Sequence, residues 1–171
     1  MTERFEVQRQ IAASPAKVFA LLCDPNGHVT IDSSGMLQSA EGSPVTAVGD
    51  SFVVHMDRES LNDYPLGKYD VTVLITQFEP DRLLEWTISG VIQPPIRHLY
   101  GYRLEPSDVG TLVTSYYDWS QLNEKYREFL KFPIVPQTAL RQTLGILDRV
   151  VTRKVPLEPR CRSVRRGCVS A

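Results

Sequence analysis

His28, Asp32, His98 and Tyr100 are the residues of this 171-residue chain whose types and spacing fit acid–base chemistry. His28 and Asp32 stand four residues apart. On a helical turn the imidazole and carboxylate would meet, and the carboxylate would favour the imidazolium or fix one tautomer. Such a pair at a cavity mouth is a general base for aldol-type ring closure or dehydration. In a loop the same residues form a surface pair with Asp32 capping the next turn, the commoner use of aspartate there. His98, Tyr100 and Tyr102 alternate, share one strand face and are continued by apolar Leu104. Facing inward, their rings stack a polycyclic ligand while hydroxyls and imidazole orient its oxygens. Facing outward, they are half-exposed rings on a sheet surface.

The remaining polar residues carry less chemistry. His55 falls opposite Phe52, Val54 and Met56 and reads as solvent-facing. The three histidines lie in separate elements without ligand spacing, so no metal is expected. The three cysteines show no C-x-x-C spacing, and Cys23 reads as a small hydrophobe on the first helix. A Gly-rich phosphate loop, a G-x-S-x-G elbow and a dinucleotide fingerprint are all missing from the sequence, so no cofactor is expected.

These side chains need elements to position them. A strand from about Glu3 to Ile11 precedes a helix capped by Ser14, with Pro15 at its first position. Val18, Phe19 and Leu22 make that helix's apolar face, and Asp24-Pro25 ends it. PNGHVTIDSSG reads as a short helical turn or loop, and SAEGSPVTAVGD as a connection. Phe52, Val54 and Met56 then share a strand face, SLNDYPLG turns, and YDVTVLITQFEP is a longer strand. Leu84, Trp86 and Ile88 form the apolar face of the next strand. VIQPPI is loop or edge, and a hairpin turns through Glu105–Gly110. On its second strand the set Leu112, Thr114, Tyr116, Asp118 and the set Val113, Ser115, Tyr117, Trp119 both mix apolar with polar residues. The register is open there, because a one-residue slip exchanges the two sets. A long terminal helix, broken or kinked in its first third by Pro133 and Pro136, carries the stripe Leu140, Leu144, Leu147, Val151.

Strand runs between helices joined by short connections predict an α+β fold with an antiparallel sheet. A curved sheet around a long helix leaves a pocket. With 42% hydrophobic and 23% charged residues, and no run long enough to span a bilayer, the chain reads as soluble and cytoplasmic. Residues 153–171 hold six cations against the single acid Glu158, a balance of +5 that leaves −6 on the body. The acidic body excludes a basic nucleic-acid-binding domain, and the tail reads as disordered.

In this order, I-x-A-S-P-A-x-V-F-x-L-L-x-D at 11–24, V-G-D-S-F at 48–52, F-E-P-D-R-L-L-E-W at 78–86, Y-R-L-E-P at 102–106, G-T-L-V-T at 110–114 and F-P-x-V-P before the leucine-striped helix resemble the START-like (Bet v 1-like, SRPBCC) superfamily. The resemblance is to its bacterial polyketide cyclase/dehydrase and lipid-transport-like branch. It implies a helix-grip fold over residues 1–152, a curved antiparallel sheet around the C-terminal helix, with two short helices near the N-terminus. It also implies a small hydrophobic ligand, lipid-like or polyketide-like, held by a monomer or homodimer. Phe52, Val54, Met56, Trp86, His98, Tyr100, Tyr102, Leu140 and Leu144 are the expected lining. Catalysis, if the chain is a cyclase/aromatase or dehydratase instead, falls to His28, Asp32, His98 or Tyr100.

Overall fold

The computed structural model describes residues 3–90, 93–128 and 130–153. The tail expected to be disordered lies outside the described residues from Lys154 onward. Strand β1 (Arg4–Ile11) leads into α1 (Pro15–Cys23). The Ser14 side chain accepts from the Lys17 N–H at 3.4 Å, and Pro15 stands in the first turn. Asp24 is held in extended backbone by the proline that follows it, which ends α1. Its carboxylate then caps α2 (Pro25–Ile31) by accepting from the Asn26 N–H at 2.9 Å. The two helices abut so closely that a Cβ on Gly27 would lie 1.8 Å from the Leu21 carbonyl oxygen.

Five strands follow α2, then a final hairpin partner: β2 (Leu37–Glu41), β3 (Ser51–Asp57), β4 (Lys68–Glu79), β5 (Leu83–Gly90), β6 (Leu99–Ser107) and β7 (Gly110–Asp118). They form one seven-stranded antiparallel sheet ordered β1-β7-β6-β5-β4-β3-β2. Strand β2 lies within what reads in sequence as loop and connection. It is a five-residue edge strand broken by a register shift between Leu37 and Ser39, so its alternation is weak.

Helix α3 (Glu124–Arg127) is short, and α4 (Gln137–Thr152) starts only after Pro136. The two prolines therefore break the expected long helix rather than bending it. Leu140, Leu144, Leu147 and Val151 form the buried stripe of α4. The stripe faces Val7 and Ile11 of β1 and Val113 of β7 within the core. The open register of β7 resolves with Val113, Ser115, Tyr117 and Trp119 toward the helix. Tyr116 points to the outer face yet is only 2% exposed, because Gly101 opposite it has no side chain and Arg4 lies over its ring at 4.1 Å. This is the helix-grip architecture, an α+β fold.

Candidate functional site

A cavity of about 420 Å³ lies between the concave sheet face, α2 and the first turns of α4. That size falls in the range of small-molecule sites. The inward alternation of β3 to β6 supplies most of its wall: Val54 and Met56, then Val71 and Val73, then Trp86 and Ile88, then Tyr100 and Tyr102. His28, Asp32, His98 and Leu140 also line it, so most of the expected site is gathered on one surface. Phe52 and Leu144 depart from the expectation and lie off the wall. Phe52 packs behind His28, its ring centroid 5.0 Å from the imidazole. Leu144 is 1% exposed in the packed half of the sheet–helix space, one turn beyond the cavity.

The rings on the wall form a continuous stack. Tyr100 lies between Trp86, 5.9 Å away at 16°, and Tyr117, 4.7 Å away at 29°. Trp86 also touches Tyr102 at 5.7 Å and meets His28 edge-on at 4.9 Å. Offset and edge-to-face pairs at these distances are attractive beyond simple burial, and they fix the wall's shape.

His28 and Asp32 do not pair, although both follow from the same short helix. His28 donates from Nε2 to the Leu22 carbonyl at 2.8 Å, which leaves Nδ1 as an acceptor. Burial holds its pKa down to about 4, so the ring is neutral at pH 7. Asp32 turns into its own loop and accepts from the Ser34 N–H at 2.9 Å, the Ser34 hydroxyl at 2.7 Å and the Leu37 N–H at 3.1 Å. Asp32 thus does what the commoner reading expected, capping the next turn, but its neighbour His28 is buried rather than at the surface.

His98 is neutral for the same reason, held down to about 4 by burial, and its Nδ1 meets the Tyr117 hydroxyl at 3.1 Å. Burial pushes Tyr100 and Tyr102 well above the ordinary phenol value, so both stay protonated donors. His55 stays on the outer face between Asp70 (2.7 Å) and Glu41 (3.2 Å), which raise its pKa. Burial raises the Cys23 thiol to about 11.

Sequence reasoning passed over Arg58, Tyr69, Ser115 and the stretch Ile134–Val135, which also line the cavity. Arg58 had a signal: it continues the inward alternation of Phe52, Val54 and Met56 by one step. Ile134 and Val135 lie between helix-breaking prolines and follow no period. Among the described residues, no group of three or more His, Cys, Asp or Glu is placed to hold a metal ion. No described helix is long and apolar enough to cross a membrane.

A curved antiparallel sheet gripping a C-terminal helix around a hollow defines the class of protein. The chain belongs to the polyketide cyclase/dehydrase and lipid transport family, which it matches over residues 2–151. It is 29% identical over 112 residues to an uncharacterized protein of Mycobacterium tuberculosis, Rv0088. That match takes in 64% of this chain and 45% of the relative, so the chain spans under half of that protein's length. Among solved structures, protein CV1439 of Chromobacterium violaceum superposes with a TM-score of 0.62 at 13% identity, covering 88% of this chain and 98% of that one. The Aha1 dimer of Colwellia psychrerythraea gives 0.56 at 17% identity, covering 86% and 95%. At these identities the likeness is one of fold.

Proposed function

We propose that residues 1–152 act as one binding unit that holds a small hydrophobic molecule with a flat, aromatic or polyketide-like body. The observation that carries this reading is the wall itself, where stacked rings and aliphatic side chains enclose about 420 Å³. The ionisation states of its buried rings point the same way. Two neutral imidazoles and the protonated Tyr100 and Tyr102 orient a ligand's oxygens without charging it.

The second reading is a cyclase/aromatase or dehydratase, favoured by the free Nδ1 of His28 and by the His98–Tyr117 hydrogen bond. A general base works best with a pKa near the working pH. Imidazoles held near 4 are weak bases at pH 7, which is why binding is the preferred function. The fold of the Aha1 dimer leaves a homodimer as one assembly this chain would form.

The test is titration of the recombinant protein with a neutral apolar fluorophore, N-phenyl-1-naphthylamine, together with native mass spectrometry for retained ligand. Ala139 lines the cavity from α4, so Ala139→Phe fills the hollow without crowding a packed site. It should reduce fluorophore affinity by about tenfold or more while leaving stability unchanged or raised, as cavity-filling changes do. Equal binding by the two proteins would refute the cavity as the site.

A further inference from the structure

Among the described residues, Arg58 is the one lysine or arginine on the cavity wall. It stands one residue beyond β3, and its own N–H donates to the Gly67 carbonyl at 2.9 Å, closing the loop between them. It is 8% exposed. A guanidinium so buried needs partners. Asp63 supplies one edge, accepting from Nε at 2.8 Å and from Nη2 at 2.6 Å. The Tyr64 ring lies 5.1 Å from the guanidinium carbon, and Tyr69 shares the cavity wall with it.

This arrangement leaves donors to spare. The guanidinium fork carries five N–H groups, of which Asp63 takes two. The second edge of the fork matches a second carboxylate. Among the described residues, no competing acid serves it from the wall. Asp32, the one carboxylate among the lining residues, has both oxygens engaged by Ser34 and Leu37. Met56, Val71, Val73 and Ile88 give the wall shared by Arg58, Trp86 and Tyr100 much hydrocarbon surface. A loop clasp alone would not require the cation to face an apolar hollow.

We infer that the ligand is an amphipathic carboxylic acid whose ring-bearing body lies against Trp86 and Tyr100 and whose carboxylate reaches the free edge of Arg58. This rests on the reading of the cavity as a site for hydrophobic molecules and adds the chemical class of the ligand's polar end.

The experiment compares 1-pyrenebutyric acid with its methyl ester at pH 7, each displacing N-phenyl-1-naphthylamine. The acid should bind the native chain about tenfold more tightly than the ester, the order expected for a charge-assisted bidentate contact. In Arg58→Gln that preference should fall to about twofold or less, with affinity for the neutral fluorophore retained. In Asp63→Asn, where the competing carboxylate is gone, the acid should gain affinity and the ester should not. An acid that binds no better than its ester, a preference that survives Arg58→Gln, or an Asp63→Asn that weakens the acid would overturn the inference alone. Failure of the neutral fluorophore to bind the native chain would instead remove the cavity reading beneath it.

Discussion

Lowering the pH from 7 to 5 should destabilise this fold through two buried histidines. His28 and His98 are held down to about 4, while the unfolded chain takes up each proton near 6.5. Between those values the unfolded state binds more protons, so their stabilisation is complete above about 6.5 and declines as pH drops toward 4. Linkage puts the cost per histidine at roughly 2 kcal/mol at pH 5, against a few tenths at pH 7. The pair together should therefore lower stability by about 4 kcal/mol across the interval. The groups facing them are the Leu22 carbonyl, Asp24, Phe52 and Trp86 around His28, and Tyr100 and Tyr117 around His98. Burial raises the Tyr100 and Tyr117 hydroxyls, so both stay protonated across this interval. His55 has the opposite sign, because Asp70 and Glu41 raise its pKa, and it returns some stability as the pH falls. Glu3, Asp50, Asp63 and Asp118 lie below the usual carboxylate range, so their losses come at lower pH. The assay is urea unfolding followed by tryptophan fluorescence at both pH values, for the native chain, His28→Gln and His98→Gln. Each variant should remove about half of the pH-dependent loss. A loss that neither variant reduces, or a His28 ring that titrates near 6.5 by NMR, would refute the reasoning.

Four substitutions test other parts of the structure. Gly27→Ala drives a Cβ to 1.8 Å from the Leu21 carbonyl and should cost about 2–3 kcal/mol in urea unfolding as α1 and α2 separate. Asp24→Ala removes the cap of α2 and should cost about 1 kcal/mol by the same measurement. Leu147→Ala opens a hole in the packed half of the core and should cost about 3 kcal/mol, with neutral-fluorophore affinity unchanged. Trp86→Ala should lower both stability, by about 3–5 kcal/mol, and fluorophore affinity, because its ring serves the core and the cavity wall together.

Local chemistry made some elements readable from residues alone. Ser14-Pro15 and Asp24-Pro25 mark both ends of α1 because capping and proline sterics act within a few residues. The inward face of β6 followed from His98, Tyr100 and Tyr102 because apolar Leu104 continues the same alternation. Strand β7 resisted for a reason that lies elsewhere in the chain. Its outward Tyr116 is buried by Arg4 from β1 and by the vacancy at Gly101 on β6, so both faces of the strand read as core. Of the two readings of His28 and Asp32, the meeting of their side chains lost on competition, since backbone groups at Leu22, Ser34 and Leu37 claimed both first. Arg58 was signalled by alternation but stands beside a turn-like stretch, where alternation no longer carries weight.

One uniform stripe on α4 serves two unlike halves of the interior. Leu144, Leu147 and Val151 pack to near-zero exposure against β1 and β7, whereas Leu140, one turn earlier, faces a hollow. The difference comes from the neighbours. Ala139 and Thr143 beside Leu140, and Ser115 across from it, are too small to fill the space, and the Trp86–Tyr100–Tyr117 stack is too rigid to collapse into it. An unfilled apolar cavity forfeits contacts and costs stability. A chain that keeps one beside a fully packed region is poised to recover that loss on binding. A ligand at a hundred times its Kd should then stabilise the fold by about 2.7 kcal/mol, and the rise in Tm should disappear in Ala139→Phe.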